Sequence, residues 1–142
     1  LPLEEFFTGA AQCVIAPGEI LTEVVIPDQA TTGSTYFKFG LRRSGALAVV
    51  GVAVSVTVDG GAFQDARIVL AASAPTVFRA RAAEDWVRGR EAAESAFVEA
   101  GRLASEASRA RNSIRGSADY RRHLAGVLTK RALRKAVREG HV

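Results

Sequence analysis

The chain has 142 residues, 48% apolar and 24% charged, with a formal net charge of +4. That is the size of one ordinary domain, enough to bury roughly two-thirds of its unfolded surface. The apolar content excludes disorder of the whole chain. The longest weakly charged stretch, Ser44 to Val58, is too short for a membrane-spanning helix and alternates like a strand. Cys13 is the sole cysteine, which excludes an intrachain disulfide and a cysteine-built zinc or iron–sulfur centre, and His123 and His141 make no metal cluster. These features suit a reducing cytoplasm, and the opening residues do not read as a secretory signal. With Leu1 in first place and no methionine anywhere, the chain is expected to be a fragment, or one domain of a longer product.

Charge and composition change near residue 73. Residues 1–72 hold four basic and seven acidic residues, while residues 73–142 hold fifteen basic and eight acidic ones. The first part is rich in Val, Thr and Gly and the second in Ala, Arg and Glu, which predicts strands followed by helices and therefore an α+β domain. Ile20 to Ile26 reads as a strand closed by Pro27, and Ser34 to Leu41 as a second. In the third, Val50, Val52, Val54, Val56 and Val58 share a face predicted to meet the core, opposite Gly51, Ala53, Ser55 and Thr57. Asp59-Gly60-Gly61 supplies the positive-φ residues of a hairpin, and Arg67 to Ala72 returns antiparallel.

Helices are predicted from Arg79 to about Arg88, with Gly89 as its stop, and from about Glu91 to Ser108. A third begins at Gly116-Ser117, with Ser117 as cap and Tyr120, Leu124, Val127 and Leu128 as its apolar stripe. Arg121, Arg122, Lys130, Arg131, Arg134 and Lys135 cover much of the remainder. Clustered cations attract phosphate, but they also suit a solvated helix face or a subunit contact. Tyr120 lies on the apolar stripe rather than among the charges, which disfavours a nucleic-acid surface.

No complete active site is expected. A glycine-rich phosphate loop is lacking, and neither Gly33-Ser34 nor Gly116-Ser117 has the flanking residues of a nucleophile elbow. The segment Ser34 to Arg43 is more informative. In a strand, Tyr36 and Lys38 share one face and Phe37 and Phe39 the other, with Arg42 and Arg43 following in a loop. An aromatic beside a cation suits a flat, electron-rich or anionic ligand. An amphipathic strand with a phenylalanine core face accounts for the same residues.

Four blocks in order carry a resemblance: Phe6-Phe7-Thr8-Gly9 with Pro17-Gly18-Glu19-Ile20-Leu21 and Ile26-Pro27; Phe37-Lys38 through Arg42-Arg43 and Ala48-Val49-Val50; Ala74-Pro75-Thr76 through Arg79-Ala80 and Glu84; and Arg115-Gly116-Ser117-Ala118-Asp119-Tyr120-Arg121-Arg122-His123-Leu124 with Arg131-Ala132-Leu133. Together they resemble the C-terminal half of the FAD-binding medium subunit of molybdenum hydroxylases, the xanthine dehydrogenase and aerobic carbon monoxide dehydrogenase family. The resemblance implies that residues 1–28 are the tail of the FAD-binding domain. It further implies that residues 33–142 form the flavoprotein C-terminal domain, a small antiparallel β-sheet packed with a C-terminal helical bundle. It assigns FAD contacts to Leu21 and Lys38, a tyrosine against the flavin ring at Tyr36, and a tuning loop from Phe39 to Ala46 with Arg42 as its candidate. Many relatives carry an acidic residue near Gly45 or Ala46 of that loop; this chain does not. The implied partners are a molybdopterin-binding large subunit and a 2Fe–2S small subunit; from the residues themselves no membrane contact is expected, and nucleic acid is disfavoured. The fragment alone is expected to be inactive. The alternative is an interaction module that kept the fold and docks a partner without flavin.

Overall fold

The computed structural model describes residues 1–28 and 31–139; His141 falls outside that range. The chain opens with a single helical turn, α1 (Leu3–Phe6), and a short hairpin of β1 (Phe7–Gly9) and β2 (Gln12–Cys13). Four strands then make one antiparallel sheet in chain order: β3 (Gly33–Gly40), β4 (Ala48–Asp59), β5 (Ala62–Ala71) and β6 (Phe78–Arg79). Three helices follow, α2 (Arg81–Val87), α3 (Glu94–Ala107) and α4 (Ala118–Glu139). The strands-then-helices reading and the α+β class both hold.

The predicted valine face builds the core. Val50, Val52, Val54 and Val56 are each at most 3% exposed and sit opposite Phe39, Phe37 and Thr35 of β3 and Leu70, Ile68 and Ala66 of β5. Burying each such valine stabilises by about 1.5–3 kcal/mol. Val58 is only partly buried, because the β4–β5 register slips between Thr57↔Asp65 and Val58↔Phe63. A second slip, between Phe39↔Val50 and Gly40↔Ala48, leaves Val49 without an opposite residue and fully buried. Gly60 and Gly61, both at positive φ (55° and 79°), form the two-residue turn that the sequence predicts.

All three long helices lie on the valine side. α4 packs across β3 and β4, α2 against β5, and α3 against both helices. Gly89 ends the α2 region at φ 75°, and Ser117 caps α4 through a hydrogen bond from the Tyr120 N–H (3.2 Å). Glu84 of α2 is 1% exposed and accepts from the Ile68 N–H (2.8 Å) and from Arg79 Nε and Nη2 (3.0 and 2.8 Å). That hydrogen bond to Glu84 is the main cause holding the Arg79 guanidinium above its ordinary pKa. Glu4 reaches the same cluster, 3.3 Å from Arg79 and 2.7 Å from Arg81, and fastens the N-terminal turn to the sheet edge.

Three expectations change. Ile20 to Ile26 forms no ladder: it is extended but exposed, with Ile20 at 84% and Ile26 at 85%, because no described strand lies beside it. Arg121, predicted on the charged surface, is buried. Tyr120, predicted on the apolar stripe, remains 44% exposed and meets Phe39 edge-on at 6.2 Å between ring centres.

Candidate functional site

The sheet face away from the helices is open. On β3 it carries Ser34, Tyr36 and Lys38, and the paired strands continue the rows as Lys38–Gly51–Ala71 and Tyr36–Ala53–Val69–Arg79. Strand alternation dictates this division: Phe37 and Phe39 turn inward to the valines, so Tyr36 and Lys38 must turn outward. Small residues on β4 leave the surface flat. The Tyr36 phenol lies across Gly51, where an added Cβ would come within 3.0 Å of its Oη and 3.4 Å of Cε2. The ring is therefore seated on the sheet yet 58% exposed. Sequence reasoning did not assign Gly51 this role; its signal was a glycine inside a strand, which marks close approach of another group.

Lys38 is exposed and has no hydrogen-bonding or ion-pair partner among the described residues. Its cross-strand row holds no carboxylate, so its charge is directed at whatever approaches the open face. Arg42 follows in the loop after β3 and donates from Nη2 to the Gly45 carbonyl (3.0 Å), which Gly45 presents at φ 60°. Lys38, Leu41, Arg42 and Arg43 line one shallow cleft at this edge. Three of the four predicted site residues thus gather on one strand and its loop. Leu21 does not join them: it is 54% exposed and lines a separate apolar depression with Leu3, Phe6 and Val25.

A cation two residues from a seated aromatic, on a flat surface of small side chains, suits a planar electron-rich or anionic ring. Nothing else among the described residues converges into a reactive constellation. No group of three or more metal-ligating side chains occurs there, and Cys13 stands alone and exposed. The adjacent carboxylates of Glu84 and Asp85 separate, Glu84 into the core and Asp85 to the surface. The cations of α4 are largely matched on their own surface: Lys130 and Arg134 share Glu94 (2.9 and 2.5 Å), Arg122 meets Asp119 (2.9 Å) and Lys135 meets Glu139 (3.5 Å). No described helix is long and apolar enough to cross a membrane.

Known proteins resemble this chain in sequence and in fold. The carbon monoxide dehydrogenase medium chain of Hydrogenophaga pseudoflava is 31% identical over 96% of this chain and 47% of its own length. The xanthine dehydrogenase FAD-binding subunit of Escherichia coli O157:H7 is 27% identical over 96% of this chain and 48% of its own. Among solved structures, quinoline 2-oxidoreductase from Pseudomonas putida 86 superposes with a TM-score of 0.90 at 32% identity, over 98% of this chain and 48% of the matched one. The chain therefore spans about half the length of the curated relatives it matches. The family model for the CO dehydrogenase flavoprotein C-terminal domain matches residues 35–136, from the strand that carries Tyr36 and Lys38 through most of α4. The chain belongs to the CO dehydrogenase flavoprotein C-terminal domain family.

Proposed function

We propose that this chain is the C-terminal part of the FAD-binding medium subunit of a molybdenum hydroxylase. It would work in the cytoplasm beside a molybdopterin-binding large subunit and a 2Fe–2S small subunit. In this reading residues 1–28 are the tail of the FAD-binding domain and residues from 33 onward are the C-terminal domain. The observation that carries it is the open face itself: Tyr36 seated over Gly51 with the unpaired Lys38 two residues away. The donor set fits a flavin. Tyr36 offers a planar surface, Lys38 a positive charge beside it, and Arg42 a second cation in the adjoining loop, while Leu21 would join from the N-terminal segment. FAD, when bound, takes electrons from iron–sulfur clusters and passes them to an external acceptor. The work of this chain is to orient the ring, screen one side of it and set the charge around it.

The test is to purify the native protein through a tag placed after its C-terminus, then record its intact mass, its companions and its flavin, iron and molybdenum content. A chain about twice this length, yellow and accompanied by molybdenum and iron–sulfur subunits, is the expected result. A colourless protein without those subunits would overturn the reading in favour of a flavin-free docking module.

A further inference from the structure

Four buried side-chain polar atoms among the described residues lack a hydrogen-bond partner, and three belong to Ser73, Arg115 and Arg121. The fold brings these three residues together from the turn after β5 (Ser73), the loop leading into α4 (Arg115) and the start of α4 itself (Arg121). Arg121 donates from Nη1 to the Ala72 carbonyl (3.1 Å) and from Nη2 to Ser113 Oγ. The same Ser113 hydroxyl accepts the Arg115 N–H (3.1 Å), and Ser73 accepts the Arg109 N–H at its carbonyl (2.8 Å). Ser113 and Gly116 exchange backbone hydrogen bonds (both 3.1 Å), so the loop holding Arg115 is a closed turn.

The charge balance of this corner is unusual. Arg121 is 6% exposed, and neither it nor Arg115 has a carboxylate partner among the described residues. Taking a charge out of water is costly unless an opposite charge replaces the solvent. Burial, and secondarily the Arg115 charge, hold the Arg121 guanidinium below its ordinary pKa. Ala72, whose carbonyl meets Arg121, is a non-glycine residue at φ 57°, a strained conformation of the kind that gathers at functional sites. The helix end does not explain the cluster, because Asn112 Oδ1 already accepts the Ala118 N–H (2.7 Å) and Ser117 Oγ the Tyr120 N–H.

We propose that Arg115 and Arg121, arranged around Ser113 and beside Ser73, form a binding site for one compact oxyanion, a carboxylate or a phosphate group. Guanidinium forks match the planar edge of such a group and would spend the unpaired N–H donors on it. Access is from the loop side, where Ser113 is exposed and Arg115 half-buried. The site shares no residue with Tyr36, Lys38 or Arg42 and does not rest on the flavin reading.

The test follows the melting temperature of the full-length protein against inorganic phosphate, with ionic strength held by sodium chloride. Exclusion of phosphate from the surface raises the melting temperature without saturating, whereas a site adds a saturable rise. The saturable component is expected in the native sequence, with at least tenfold weaker apparent affinity in Arg115→Gln. Ser113→Asp places a carboxylate where the Arg121 guanidinium and the Arg115 main-chain N–H already meet; it should raise the melting temperature without phosphate and abolish the saturable response. Repeating the titration within the native assembly separates the sources. A response lost on assembly assigns the oxyanion to a companion's carboxylate, and one that persists assigns it to a free ion. A purely unsaturable rise in the native sequence, or an unchanged saturable rise in Arg115→Gln, overturns the proposal.

Discussion

Lys38 and Tyr36 owe their exposure to their neighbours. Phe37 and Phe39 are drawn to the valine core, and the two-residue alternation of a strand turns the intervening side chains outward. A lysine so placed beside a flavin would stabilise the reduced, more negative form. Lys38→Ala in the complete protein should therefore lower the flavin potential by tens of millivolts, since about 1 kcal/mol of lost attraction corresponds to about 20 mV for a two-electron couple. It should also weaken FAD retention, and folding should be unaffected because Lys38 has no partner among the described residues. Spectroelectrochemical titration of native and variant protein checks this; identical potentials and FAD content would remove Lys38 from the site. At this scale the sequence was highly legible. Strand parity alone separated Tyr36 and Lys38 from the phenylalanines, whereas the seat that Gly51 provides required cross-strand register.

Among the elements, the α3–α4 contact is governed by two glycines. A Cβ at Gly101 would lie 2.7 Å from the Gly126 carbonyl oxygen, and one at Gly126 would lie 2.9 Å from that of Gly101. Replacing a helix-interior glycine by alanine ordinarily gains about 1 kcal/mol in helix propensity. Here the obstacle is backbone, and overpacking costs about 1–3 kcal/mol. The overlap should dominate, so Gly101→Ala is expected to destabilise by about 1 kcal/mol, visible as a lower urea midpoint at unchanged slope. Towards the other end of the same contact, Glu94 of α3 lies between Arg134 and Lys130 of α4. Those cations, Arg134 foremost, hold its carboxyl below the ordinary value of 4.5. A depressed carboxyl stabilises the fold above its unfolded pKa, and the contribution is lost as pH falls through the lower folded value. The stability difference between native protein and Glu94→Gln should therefore be constant above about pH 5 and shrink below it, as denaturant titrations across that range would report. A pH-independent difference would show that Glu94 acts through packing instead. Helical spacing located both helices in the sequence, but which of their residues meet depends on the crossing of the two axes.

For the whole molecule, the segment Ile20 to Ile26 is the clearest case of sequence and structure parting. Its β-branched residues favour a strand, yet Ile20, Val24, Val25 and Ile26 are all at least 66% exposed and no described strand pairs with them. A strand is stabilised by its neighbour rather than by its own sequence. If residues 1–28 belong to the FAD-binding domain, as proposed, the missing neighbour lies in that domain. Hydrogen exchange should then find the amides of residues 20–26 protected in the full-length protein and unprotected in the isolated chain; rapid exchange in both would detach the segment from any sheet. The sequence by itself determined the class, the order of strands and helices, the Gly60-Gly61 hairpin and the outward placement of Tyr36 and Lys38. Each of these follows from local periodicity or turn chemistry, which neighbouring residues encode. Only tertiary structure decided that Glu84 is buried against Arg79 and Ile68, that Arg121 is withdrawn from solvent beside Ala72 and Ser113, and that Leu21 stands apart from Lys38. Those outcomes depend on contacts between residues distant in the chain, and no local pattern specifies which charge meets which.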